Sequence, residues 1–327
     1  MHVPMRIWKR AGVVAAALTA LVVVGLAFAP IIWVELAHAT HSRPGWPAAL
    51  IAATPPAGPS PGTVVDGYWR VQQIAPDTYA IGEPQNDLDN FEYLLVGKNR
   101  ALLIDAGSTA RDIHPALARL TPLPVTVIPT HLHSDHTNGL RNFESIAMID
   151  LPQTRSRVTD GMMHLGRYQY LGTGGDNPPV FRVTEWIEPD GYIDLGERRV
   201  QVLSTPGHTN TSVSIHDPGA RLLFTGDLIY TTTLYAFLPD SSLSTYMKTA
   251  DRLLAAMPGD TLIYGAHCCR NDSPPAAPWL DMNDLKDLRR ALQNILTGSA
   301  GGRGFIIRRF PVNERMTLVT FYPLGNR

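Results

Sequence analysis

The sequence predicts an α/β chain, with helices packed on sheets, behind an N-terminal apolar segment. Three observations carry this reading. Residues 11–34 hold no charge, short apolar strands and amphipathic helices recur from Tyr68 onward, and histidines gather where strands end. The 327 residues suit one large domain or two small ones. Lys+Arg number 28 against 29 Asp+Glu, and this near-zero balance excludes a broad basic footprint for nucleic acid. With 44% hydrophobic and 17% charged residues the composition is not that of a disordered chain. Cys268 and Cys269 are adjacent, so they cannot staple distant segments.

The run AGVVAAALTALVVVGLAFAPIIWV at 11–34 is apolar on all sides. At about 1.5 Å per helical residue it is long enough for the ~30 Å hydrocarbon core. Arg6, Lys9 and Arg10 precede it, which predicts a cytoplasmic N-terminus and an extracytoplasmic (periplasmic) remainder. Ala37-His38-Ala39 offers a cleavage site, so the alternatives are an uncleaved membrane anchor and a signal peptide released after Ala39. Residues 40–66, rich in proline and small residues, read as an extended linker. The expected organisation is therefore 1–39 anchor or signal, 40–66 linker and 67–327 catalytic domain.

Within the domain, YWRVQQI, TYAIG, FEYLLVG and RALLIDAG follow at short spacing, as in an antiparallel start. Ile113, Leu117 and Leu120 share one face of a helix expected over 112–120. Further strands are expected at 125–130, 145–151, 198–205, 211–217, 221–227 and 261–267. An amphipathic helix is expected over 242–257, capped by Ser242 or Ser244, and a last helix from about Pro278 to Leu296. FIIRRF and MTLVTFY form an expected closing hairpin.

His131, His133, Asp135 and His136 follow the strand 125–130 directly. Three imidazoles and a carboxylate within six residues are metal-ligand chemistry; neutral imidazole nitrogens suit zinc. His208 in STPGHTNTS, Asp227 in LLFTGD and His267 in LIYGAH repeat the pattern of a strand feeding a polar ligand. Each of these alone is weak, and the ordered set of seven is not.

The motifs HLHSDH, TPGHT, FTGD and YGAH resemble those of the metallo-β-lactamase superfamily, over about residues 68–270. The resemblance implies a four-layer αββα sandwich with two Zn2+ ions per chain at one edge between the sheets. One ion would take His131, His133 and His208, the other Asp135, His136 and His267, with Asp227 bridging. Asp105 in LLIDAG matches the family's aspartate that orients a ligand imidazole. Asp135, Asp227 and Asp105 would be the carboxylates on which catalysis depends. Two metal ions acidify a shared water and polarise a scissile carbonyl, so attack by a bridging hydroxide needs no Ser or Cys nucleophile.

Asp227 and the stretch GDLIYTTTLYAFLPDSSLSTY resemble the acyl-coenzyme A hydrolase and glyoxalase-II-like branches, rather than the true β-lactamases. This implies a hydrolase of a lipophilic thioester or ester, a small-molecule partner alongside the membrane met by the N-terminal helix. Met162, Met163, Tyr168, Tyr235 and Phe237 are the expected pocket wall. The alternatives are a lactonase, a lactam hydrolase or a phosphodiesterase on the same metals. The phosphodiesterase would need Lys or Arg lining the pocket; 228–238 has none, though Arg155, Arg157 and Arg167 precede or enter the other wall segment. A non-catalytic metal-binding module is disfavoured because all seven ligands are present.

Overall fold

Alternation along one strand sets out the layers. In Asp89–Val96, Phe91, Tyr93 and Leu95 pack into one apolar cluster, and Leu94 packs into another on the opposite face. This strand is β4 of a sheet that pairs in chain order: β1 (Thr63–Val65), β2 (Trp69–Ala75), β3 (Thr78–Glu83), β4, β5 (Ala101–Ile104) and β6 (Val125–Ile128). The pairs are antiparallel except β5 with β6. The structure, a computed structural model, describes residues 63–83, 89–166, 178–238, 240–268, 277–305 and 307–321. All of these belong to one compact unit, Trp46–Arg327. The expected helix at 11–34, Tyr168 and Cys269 lie outside the described residues. Among the described residues no helix is long and apolar enough to cross a membrane. The sheet already begins at Thr63, inside the expected linker.

A second sheet runs Tyr192–Asp194, Arg199–Ser204, Val213–Asp217, Leu222–Gly226, Leu262–Gly265 and Trp279–Leu280. Only Leu222–Gly226 and Leu262–Gly265 are parallel; the helix Leu243–Ala256 lies between them in the chain, as a parallel crossover requires. Tyr93, Leu95, Leu102, Ile104 and Ile128 of the first sheet share a core with Val200, Val202, Ile215, Phe224 and Tyr264 of the second. A further core, holding Leu223, Ile263, Leu253, Leu288 and Leu292, joins the outer face of the second sheet to the helices Leu243–Ala256 and Met282–Thr297. The third covers the outer face of the first sheet with Ile113, Leu117, Met148, Met163 and Phe181. Three apolar clusters thus separate four layers.

Several elements differ from the sequence expectation. The helix expected over 112–120 is one turn, His114–Leu117, and the chain then bends into Pro122 and Pro124, which cannot continue a helix. The last helix starts at Met282, not Pro278. Trp279–Leu280 is an edge strand against Ile263 and Tyr264, and Asp281 caps the helix by accepting from the amides of Asn283 and Asp284. Its other end is Gly298 in the left-handed region at φ 75°. Ser242, one of the two expected caps, accepts from the amide of Thr245. The closing hairpin forms as Ile307–Pro311 against Met316–Phe321, and the parallel strand Thr232–Tyr235 joins its far edge. Cys268 is buried and disulfide-bonded.

Candidate metal centre

The chain builds the centre from turns at strand ends. Beyond β6, His131 and His133 project before a single helical turn, Ser134–Thr137, presents Asp135 and His136. Thr137 closes that turn by donating its hydroxyl to the His133 carbonyl at 2.8 Å. Gly139 lets the turn approach the preceding loop: a β-carbon there would lie 2.0 Å from the Ala106 carbonyl oxygen. His208 follows the strand Arg199–Ser204, and its loop is held by the Ser242 amide donating to the Gly207 carbonyl at 3.0 Å. Asp227 follows Gly226, whose φ is 51° and whose β-carbon would strike the Thr130 hydroxyl at 2.3 Å. The expected strand 261–267 breaks at Ala266. Leu262–Gly265 belongs to the second sheet, whereas His267–Cys268 pairs with the first end of β4, His267 opposite Asn90. His267 therefore stands where the chain crosses between sheets.

These turns bring all seven expected ligand residues into two adjoining groups. His131, His133 and His208 form one, and Asp135, His136, Asp227 and His267 the other; within each, donor atoms lie within 4.8 Å of one another. Asp227 lies between them: one carboxylate oxygen is 3.3 Å from His136 Nε2 and 3.0 Å from His267 Nε2, and the other is 3.5 Å from His208 Nε2. Asp135 is 3.4 Å from His267 Nε2 and 3.7 Å from His136 Nε2.

Outer partners orient the imidazoles. Asp105, itself at φ 66°, accepts from His136 Nδ1 at 2.9 Å. Both its oxygens are held by Thr130, one by the amide at 2.6 Å and one by the hydroxyl at 2.9 Å. The Tyr235 carbonyl lies 2.7 Å from His208 Nδ1, which makes that nitrogen the donor and turns the bare Nε2 inward. His131 Nδ1 lies 3.2 Å from the Thr130 hydroxyl. Thr130 and the Tyr235 carbonyl were not among the expected site residues. Thr130 was findable as the residue between strand and motif, but a backbone carbonyl leaves no trace in a sequence.

The electrostatics divide the centre. Burial, then neighbouring His136 and His133, holds His131 well below the usual histidine range. Burial and His208 push His133 down to about 3. Burial lowers His208 against the opposing pull of Asp227. In the second group burial also opposes charge on His136, but Asp105, Asp135 and Asp227 outweigh it and raise the group well above its ordinary value. His267 is likewise raised to about 9, burial being overcome chiefly by Asp227. Burial works against the Asp135 and Asp227 carboxylates, yet His136 and His267 hold both below the carboxylate range.

The donor set fits divalent cations. His131 Nε2 and His208 Nε2 converge on His133 Nδ1 at 2.9 and 3.1 Å. Neutral imidazoles so arranged point lone pairs at one another, and a single proton satisfies only one contact. In the other group His136 Nε2 and one Asp227 oxygen are buried and, though 3.3 Å apart, make no well-aligned hydrogen bond. Buried polar atoms left this way are costly, and a cation shared among nitrogen and carboxylate donors removes the cost.

The expected pocket residues are placed unevenly. Tyr235 and Phe237 have ring centroids 5.8 Å apart, and Phe321, which sequence reasoning missed, extends the row at 5.7 Å from Phe237. Because the Tyr235 carbonyl binds His208, this row starts beside the first group. Met163 is fully buried in the core on the outer face of the first sheet, opposite Phe181. Met162, its half-buried neighbour, points to the other face of the short strand Met162–His164.

The arrangement has known counterparts. A family model described as the metallo-beta-lactamase superfamily matches residues 92–267, more than half of the chain. Acyl-coenzyme A thioesterase MBLAC2 of Gallus gallus is 27% identical over 209 residues, 53% of this chain and 73% of that protein. The Homo sapiens protein of the same name is 30% identical over 141 residues, 40% of this chain and 50% of that one. Hydroxyacylglutathione hydrolase of Aeromonas hydrophila is 27% identical over 182 residues, 55% of this chain and 61% of that one. Among solved structures, a metallo-beta-lactamase from Pontibacter korlensis superposes with TM-score 0.51 at 18% identity, over 69% of this chain and 99% of that one, which shows a shared fold. The chain belongs to the metallo-beta-lactamase superfamily and is a hydrolase of it.

Proposed function

We propose that this protein is a dinuclear zinc hydrolase of a lipophilic thioester or ester. The observation that carries the reading is the double ligand group with the Asp227 carboxylate reaching into both halves. His131, His133 and His208 would hold one ion, and Asp135, His136 and His267 the other, with Asp227 shared. When bound, such a pair supplies Lewis acidity toward water and toward a scissile carbonyl. The chain's own residues do the rest. Asp105 and the Tyr235 carbonyl keep each Nδ1 occupied so that Nε2 faces inward. The row Tyr235, Phe237 and Phe321 provides an apolar wall beside that group, suited to an acyl chain and to excluding water from it.

The substrate class is supported by this wall and by the names of the relatives, an acyl-coenzyme A thioesterase and a hydroxyacylglutathione hydrolase, both acting on thioesters. The N-terminal run at 11–34 is the basis for placing the domain outside the cytoplasmic membrane, anchored by that helix or released after Ala39. An extracytoplasmic site would meet lipophilic thioesters or esters other than those of cytoplasmic coenzyme A.

Elemental analysis of the purified chain should give close to two zinc ions, and Asp227→Ala should weaken both sites. A panel of thioesters, esters, lactones, lactams and phosphodiesters should show highest activity on a long-chain thioester or ester. Full metal occupancy in Asp227→Ala would overturn the shared-ligand assignment, and activity confined to lactams or phosphodiesters would overturn the substrate class. Chelation should remove activity on every substrate, with zinc restoring it.

A further inference from the structure

Behind the second ligand group lies a set of buried polar side chains that the reading above does not use. Glu83, Asn90 and Glu92 are fully buried. They sit on one face of β3 and β4, the face that carries Ile81 and Leu94, because Glu83 pairs with Asn90 and Ile81 with Glu92. Glu83 is well supplied: Tyr68 donates to it at 3.2 Å, the Ser108 amide at 2.6 Å, the Ser108 hydroxyl at 2.8 Å and the Thr109 hydroxyl at 3.0 Å. Glu92 is not. Its one described partner is the Asn90 amide, 3.2 Å from Oε1, and Oε2 is buried with none. Burial, then the nearby Glu83 and Asp105, pushes the Glu92 carboxyl well above the carboxylate range.

The same Asn90 amide nitrogen donates to the Asp135 carbonyl at 2.7 Å. Gly107 passes directly over both carboxyls: a β-carbon there would lie 3.0 Å from Glu83 and 3.1 Å from Glu92. The Gly107 carbonyl in turn accepts from the Asn138 amide at 3.2 Å, and the Ala106 amide donates to the His136 carbonyl at 2.9 Å. Glu92 therefore backs the ligand-bearing turn along two routes, through Asn90 to Asp135 and through Gly107 to Asn138.

We propose that Glu92 and Asn90 are positioning residues of the second ligand group: Glu92 orients the Asn90 amide, and Asn90 holds the Asp135 backbone so that its carboxylate faces His267 and His136. The proposal rests on the metal reading of the centre. It assigns Glu92 no contact with metal or substrate. A glutamine keeps the side-chain oxygen to which Asn90 donates, so it should replace Glu92, and an aliphatic side chain should not.

The test is a stepwise zinc titration of the full-length, metal-stripped chain as wild type, Glu92→Gln, Glu92→Leu, Asn90→Asp and Asn90→Ala, with thermal unfolding of each in chelator. Two zinc equivalents are expected for wild type. Glu92→Leu, Asn90→Asp and Asn90→Ala should bind one equivalent about 10- to 100-fold more weakly and the other normally, the scale seen when an outer partner of a metal ligand is removed. Glu92→Gln should retain wild-type affinity at both. Unchanged affinity in every variant, equal weakening of both equivalents, or a Glu92→Gln variant as impaired as Glu92→Leu would overturn the proposal. If Glu92→Leu or Asn90→Ala does not fold, the near-isosteric pair Glu92→Gln and Asn90→Asp decides it by the same criteria. Wild type binding no zinc would overturn the metal reading and the proposal together, whereas two normal equivalents in wild type and variants would overturn the proposal alone.

Discussion

The two ends of the sandwich handle buried charge in opposite ways. Asn90, opposite His267, marks one end of β4, and Val96 marks the other, about 20 Å away at ~3.3 Å per residue. At the Val96 end Arg198 ties the sheets together. It bonds Asp217 at 2.8 Å, the Asp77 and Val96 carbonyls at 2.8 and 3.1 Å, and the Thr78 hydroxyl at 2.7 Å. Arg100 adds a two-pronged pair with Glu185 at 2.6 and 3.2 Å and a bond to the Asp194 carbonyl at 2.8 Å. Arg198 and Arg100 thus each meet a carboxylate within the chain. At the His267 end, imidazole nitrogens face one another and buried oxygen and nitrogen atoms lack partners. The first end uses its charged groups to hold the sheets; the second gathers donors that could hold a metal ion.

The largest effect should come from breaking the ligand end. His133→Ala should lower turnover on every substrate by about 10³-fold or more, the scale of losing a preorganised electrostatic group. The metal-free variant should melt no lower than metal-free wild type, because the substitution removes one of three converging nitrogens. Steady-state kinetics with thermal unfolding in chelator checks both halves. A variant that keeps turnover, or whose metal-free form is markedly destabilised, would make this end structural like the other.

Next is the opposite end. Arg198→Ala leaves Asp217 buried without its cation and should cost about 3 kcal/mol of stability. Zinc content and kcat of the folded protein should stay at wild-type values. Denaturant unfolding beside elemental analysis checks this, and loss of zinc without loss of stability would show that the ends are coupled.

The smallest effect sharpens the comparison within the ligand end itself, separating metal chemistry from the apolar wall. A buried methylene is worth up to about 0.8 kcal/mol, so four more acyl carbons can raise kcat/KM by up to about 10². Phe237→Ala should flatten that dependence while leaving the shortest substrate within a few-fold of wild type. The measurement is kcat/KM across acetyl to decanoyl thioesters, and an unchanged slope would remove the row from the substrate site.

Much of the centre was legible because its ligands lie in short motifs, each attached to the end of one strand. H-x-H-x-D-H needs only a strand, a turn and one helical turn to converge, and local chemistry announces all three. The burial of Met163 was not legible, because a methionine beside an insertion carries no mark of which face of a strand it takes; the pairing opposite Phe181 put it in the core. The start of the last helix was misread because the edge strand Trp279–Leu280 exists only when Leu262–Gly265 is alongside it.

The sequence by itself determined the identity and order of the ligands, the alternation that makes two sheets, and a serine cap at Ser242 or Ser244, since each depends on residues close in the chain. Tertiary structure alone decided that a Tyr235 carbonyl orients His208 and that Asn90, far ahead of the motif in the chain, grips Asp135. Those contacts join atoms from separate strands across a closed sandwich, and their distances are set by how the sheets pack.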